Sequence, residues 1–185
     1  MRTLIGGIGY RDLRDHSIGV MVTDRLAPAT WPAHIAVEDV SYNPIAVIQR
    51  LEDERPAHPF ERVVLIGATQ RPGRAAGTFS VFRWDRALPD DAVVQAAVAE
   101  AVTGVISLDN TLMITEYFRA LPPEVIVVDV EPDVHEFGDT LSPRLAMQFD
   151  RICTLVTDIA LDALDAGQLP DASLGGGARV RAVSR

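Results

Sequence analysis

The sequence contains no lysine; its 17 basic residues are all arginine. That absence removes a lysine general base, a Schiff-base lysine and the lysine of a phosphate-binding loop from the available chemistry. There is one cysteine, Cys153, which excludes an intramolecular disulfide and a multi-thiolate zinc site. It falls within the periodic stretch Phe149 to Val156 and reads as a buried thiol on a helix. No apolar run approaches the length needed to span a bilayer. The opening Met1-Arg2-Thr3-Leu4-Ile5-Gly6-Gly7 is too short an apolar stretch for a signal peptide, so a cytoplasmic location is expected. Positive charge is in deficit: the formal net charge is -9, which argues against nonspecific binding to nucleic acid or to an anionic membrane. No Gly-x-Ser-x-Gly elbow, His-Glu-x-x-His helix or phosphate-binding loop occurs, which disfavours serine hydrolase, zincin and kinase chemistry.

What is present is an ordinary globular composition, 48% hydrophobic and 23% charged over 185 residues, the size of a single domain. Beyond Gly167 the chain turns to Gly175-Gly176-Gly177 and scattered arginines, a composition that buries no core. The expected organisation is therefore one α/β domain over 1–168 and a flexible tail over 169–185. Three runs, Thr3 to Ile8, Arg62 to Ala68 and Glu124 to Val130, are nearly continuous in apolar residues, as strands of a parallel sheet covered on both faces are. Ala33 to Val40 reads as a fourth. Thr78 to Trp84 follows the turn-rich Arg71 to Gly77 loop so closely that an antiparallel neighbour is expected.

Helical patterns lie between the strands. Ile18, Met21, Val22 and Leu26 share one face, Asn43-Pro44 opens a second helix, and Asp90-Asp91 precede a third. Asp109 or Asn110 is placed as the cap of a fourth, through Arg119. Ser142-Pro143 starts the last, whose stripe runs through Leu145, Phe149, Ile152, Val156 and Ile159. Alternating strands and helices give a layered α/β fold whose working site lies beyond the carboxyl ends of the strands. Four loops meet there: 9–17, 39–43, 67–72 and 129–142.

Gly6-Gly7-Ile8-Gly9 ends the first strand, but Asp12 stands where a dinucleotide fingerprint needs its third glycine, so a tight strand exit is the better account. The loop Arg11 to His16 is dense in ionisable groups, and His16 is a candidate metal ligand or general base. Asp109 reads either as a helix cap or as a carboxylate aimed into a cleft. Asp129 to Asp139 carries five carboxylates and one histidine, either a solvated acidic loop or oxygen donors for a hard cation.

The succession of Leu4-Ile5-Gly6-Gly7-Ile8-Gly9-Tyr10, the charged loop, Asp15-His16-Ser17-Ile18-Gly19-Val20, Val63 to Ala68, the Pro-Gly loop with Gly77-Thr78, Val130-Glu131-Pro132 and Phe137 to Pro143 resembles the hydrogenase maturation proteases over about residues 1 to 165. The resemblance implies a phosphorylase/hydrolase-like three-layer α/β/α sandwich, with a mostly parallel twisted sheet of about five strands, one of them antiparallel. It implies an endopeptidase that removes the C-terminal extension of a [NiFe] hydrogenase large-subunit precursor after metal insertion. That precursor is the expected partner, and no intrinsic cofactor is implied; nickel or another divalent metal arrives with the substrate. The family's three metal positions fall on His16, Gly67 and Asp109, so His16 and Asp109 are the expected metal contacts, one nitrogen and one oxygen donor. Tyr10, Asp39, Tyr42, Gly67 and Thr69 are expected to face the substrate, and no catalytic residue is assigned. The alternative is a proteolytically inactive maturation chaperone or scaffold of the same fold. An unrelated hydrolase built on the Asp129 to Asp139 carboxylates is a third reading.

Overall fold

The computed structural model describes residues 1–54 and 57–175. Its elements run β1 (Thr3–Gly7), α1 (Ile18–Leu26), β2 (Ile35–Asp39), α2 (Pro44–Glu54), β3 (Arg62–Ala68), β4 (Phe79–Trp84), α3 (Asp91–Val102), α4 (Leu108–Tyr117), β5 (Glu124–Val130), α5 (Pro143–Ala160) and β6 (Asp171–Ala172). A 3-10 turn, Arg14–Ser17, leads into α1, and a second, Ala166–Gln168, precedes β6. The strands form one six-stranded sheet in the order β2-β1-β3-β5-β4-β6. The first four of these are parallel to one another, β4 is antiparallel to β5, and β6 is parallel to β4.

Side chains alternate across the pleat, and each set finds its own core. Ile5, Val64, Ile66, Ile126 and Val128 pack with Ile18, Val22, Leu145, Ile152 and Val156 on the face covered by α1 and α5. Leu4, Val63, Leu65, Val125 and Val127 pack with Val47, Leu51, Leu108 and Leu112 on the face covered by α2 and α4. Burial on both sides is why these strands read as continuous apolar runs. Helix α3 lies further out, joined to α2 and α4 through Ile48, Ala97, Ala101, Met113 and Ile114.

Capping explains where the helices begin. Asp90 accepts the amide of Val93 at 3.0 Å and Ser142 that of Leu145 at 3.4 Å, each satisfying an otherwise orphaned donor. For α4 the cap is Ser107, which accepts the Asn110 amide at 3.1 Å. Neither Asp109 nor Asn110 caps it, which leaves the Asp109 carboxylate free for another partner.

Two other expectations are corrected. The antiparallel strand β4 does not lie against β3, because β5 inserts between them. The domain also runs past residue 168: β6 pairs with β4, Ala172 is buried, and the Ser173 hydroxyl donates to Asp85 at 2.6 Å. Of the expected tail, residues 169–174 are docked on the sheet and its core, and 176–185 lie outside the described residues. No helix among the described residues is long and apolar enough to cross a membrane.

Candidate functional site

The carboxyl ends of β1 and β3 open onto a cleft of about 460 Å³ lined by residues that include Tyr10, Leu13, His16, Thr69, Ser107 and His135. Its first wall is the loop after β1. Gly9 makes that loop possible, since a Cβ there would sit 2.2 Å from the His16 carbonyl oxygen. Asp12 and Arg14 adopt left-handed backbone, with φ of 59° and 43°, turning the chain into the 3-10 turn that presents His16. The opposite wall is the loop after β5. The two are clipped together where the Arg14 amide donates to the Gly138 carbonyl at 3.0 Å and the Gly138 amide to the Asp12 carbonyl at 2.9 Å.

Asp15 organises both walls. It is fully buried, and its carboxylate accepts the backbone amides of Ser142 at 2.7 Å, Asp133 at 2.8 Å and Val134 at 3.2 Å. Burial works to raise its pKa, but these amide donors outweigh it and hold the carboxyl below its ordinary range. By drawing in residues 133 and 134 it places His135 opposite His16. The two rings meet edge to face, with centroids 4.6 Å apart, and His16 Nε2 lies 2.9 Å from His135 Nδ1. Burial, and then the facing His135, hold the His16 imidazolium below its ordinary pKa against the opposing pull of Asp15. That shift favours the neutral imidazole, and the tautomer decides which of the two facing nitrogens donates and which accepts.

A second cluster closes the floor of the same sheet edge. Arg71 donates both terminal nitrogens to Asp109, at 2.6 and 2.7 Å, and its Nε to Asp129 at 2.8 Å. Arg74 donates to Glu131 at 2.8 Å and to Asp129 at 2.9 Å. Burial opposes the Arg71 charge, yet Asp109 and then Asp129 outweigh it and hold the guanidinium above its usual range. Asp129 and Glu131 are buried, so the start of the acidic segment is neither a solvated loop nor a set of free oxygen donors.

The residues singled out in the sequence therefore part company. Tyr10, His16 and Thr69 line the cleft together. Tyr10 spans it, its hydroxyl donating to the Gly104 carbonyl at 3.2 Å and accepting the Ile106 amide. Asp109 does not join His16, because both of its oxygens are engaged by Arg71. Gly67 offers no donor and sits under α4, where a Cβ would lie 3.0 Å from that of Leu108. Asp39 and Tyr42 are at the end of β2, outside the cleft lining. Asp39 accepts the Ser41 amide at 3.0 Å and pairs with Arg11 at 3.1 Å, and Tyr42 packs against the core on the α2 side. Sequence reasoning missed Arg71 and Arg74, and it noted His135 only as the one histidine of the acidic segment, not as the partner of His16. The signal for the arginines was present: Asp129 and Glu131 stand two apart at a strand end, so they point the same way, and the Arg71 to Arg74 loop faces that end. For the pairing of His135 with His16 no local signal exists.

Neither a protein-family model nor any curated protein matches the chain. Solved structures do. The hydrogenase maturating endopeptidase HybD from E. coli superposes with a TM-score of 0.65 at 18% identity, covering 88% of this chain and 94% of its own. The hydrogenase 2 maturation peptidase from Thaumarchaeota archaeon SCGC_AB-539-E09 gives 0.59 at 22% identity, covering 90% and 99%. The [NiFe] hydrogenase maturation protease HycI from Thermococcus kodakarensis KOD1 gives 0.58 at 15% identity, covering 86% and 92%.

The fold is that of the hydrogenase maturation endopeptidases.

The likeness to these endopeptidases extends over 86–90% of this chain, at 15–22% identity. The three positions that the sequence resemblance assigned to metal hold one available donor, His16. Among the described residues no group of three or more histidine, cysteine, aspartate or glutamate side chains is placed to hold a metal ion. Any metal met at this edge must draw donors from outside the protein or from a smaller set within it.

Proposed function

We propose that this chain is a maturation endopeptidase of a [NiFe] hydrogenase, taking the C-terminal segment of the large-subunit precursor into the cleft between the loops that follow β1 and β5. The observation that carries the reading is His16: a neutral imidazole fixed in an open cleft, at the carboxyl edge of a fold whose solved relatives are endopeptidases of this kind. A divalent ion brought by the precursor would meet its lone pair. Tyr10 and Thr69 line the path that the substrate segment would follow.

The test is co-expression with the large-subunit precursor encoded in the same genome, followed by intact-mass measurement of the precursor. Loss of the C-terminal extension with the wild-type chain, and its retention with His16→Ala, is the expected result. A second reading, a scaffold that binds the precursor without cutting it, is favoured by the engagement of Asp109 with Arg71. It gives co-purification with no change in mass. Neither processing nor co-purification would overturn both.

A further inference from the structure

We propose that His16 and His135 form a transition-metal site belonging to the chain itself, with His16 Nε2 and His135 Nδ1 as its two protein donors. Two imidazole nitrogens bound about 2.1 Å from one ion, at neighbouring coordination positions, stand roughly 2.9 to 3.4 Å apart. In this chain they stand 2.9 Å apart. The rings are nearly perpendicular, at 81°, so each can turn toward a shared ion without the other blocking it.

The pair is held in place from below. Asp15 directly precedes His16 and binds the two amides directly before His135, so one buried carboxylate sets both ring positions. That is the arrangement a binding site needs, since ligands fixed before the ion arrives lose little freedom on binding it. Both rings line the open cleft, which leaves the remaining coordination positions to water or to donors of a bound peptide. Thr69 lines the same cleft, and its Oγ1 is buried with no hydrogen-bond partner. Imidazole donors suit zinc, cobalt, nickel or copper rather than calcium or magnesium.

The site uses the same imidazole, His16, that the function proposed above offers to an ion, and its test is separate from the test of that function. Metal binding is read on the isolated chain and precursor processing on co-expression, so either can fail alone. The experiment is calorimetric titration of the tag-free full chain with zinc, repeated with cobalt and followed by visible absorption. Saturable binding of one ion per chain, weakened at least tenfold by His16→Ala and by His135→Ala, is expected. The double variant His34→Ala/His58→Ala removes the other two histidines, both exposed, and should bind as the wild type does. On the wild-type chain, nitrogen-detected histidine spectra should show zinc displacing the resonances of His16 Nε2 and His135 Nδ1. That readout stands even where a variant fails to fold. No saturable binding, binding that survives His135→Ala, or binding lost with His34 and His58 would overturn the site and leave an N–H···N hydrogen bond between the rings.

Discussion

His16 is where local sequence and distant packing meet. Its backbone is set by the loop after β1, its ring by a residue 119 positions away. Its depressed pKa has a consequence for stability. The unfolded chain holds a His16 proton up to about pH 6.5, whereas the fold gives it up at lower pH, so between those values the unfolded state binds more protons. Stability is then full above about pH 6.5 and declines as the pH falls through that value toward the folded pKa. Urea denaturation at pH 7.5 and pH 5.5 should show this loss, and His16→Gln should flatten the difference. A difference unchanged in the variant would assign the titration to other groups. That His16 lies at the carboxyl edge of the sheet was legible from its place after the first strand. Its partner was not, because nothing near Val134-His135-Glu136 in the chain records what lies across the gap.

At the scale of elements, the arginine cluster ties together pieces that have no covalent reason to stay in register. Arg71, in the loop between β3 and β4, reaches α4 through Asp109 and β5 through Asp129. Its side chain is only 9% exposed and that of Asp129 4%. Breaking a buried pair typically costs about 3 to 5 kcal/mol. Without Arg71, Asp129 keeps only Arg74, and Asp109, whose side chain is 23% exposed, loses the partner of both its oxygens, which sets the loss at the lower end of that range. Arg71→Ala should therefore lower the unfolding free energy by that order in denaturant titrations; a loss below about 1 kcal/mol would show the carboxylates to be rehydrated instead. The elements themselves were readable where burial imposed a pattern. β3 and β5 coincide with their apolar runs, and α5 with its single stripe. The start of α4 was misplaced because Ser107 and Asp109 are both good caps, and the choice between them was made by Arg71, 38 residues from Asp109. Two-residue β6 has too little sequence to carry any periodicity.

For the molecule as a whole, the alternation of strands and helices pointed to the three-layer sandwich, while the sheet order escaped it. Composition also misled at the C-terminal end, since a segment poor in apolar residues is still ordered by a few backbone bonds. Arg83 and Asp85 donate their amides to the Pro170 and Ala172 carbonyls, at 2.9 and 3.0 Å, and Trp84 between them is 4% exposed. Truncation after Gln168 should uncover Trp84 and lower stability by about 1 to 3 kcal/mol, measured against a chain ending at Gly175. Equal stability of the two would return residues 169–174 to the status of a tail.

The insertion of β5 between β3 and β4 also sets a chronology. On the ribosome, Phe79 to Trp84 emerges some forty residues before Glu124 to Val130, the strand that must separate it from β3. Until then a β-branched and aromatic segment waits with no native partner on either side, the kind of edge on which nascent chains stick to one another. The last-made strand of the parallel core is thus the keystone. Completing the parallel core and covering one edge of that segment are a single late event in the life of the chain, and β6, made later still, covers the other edge.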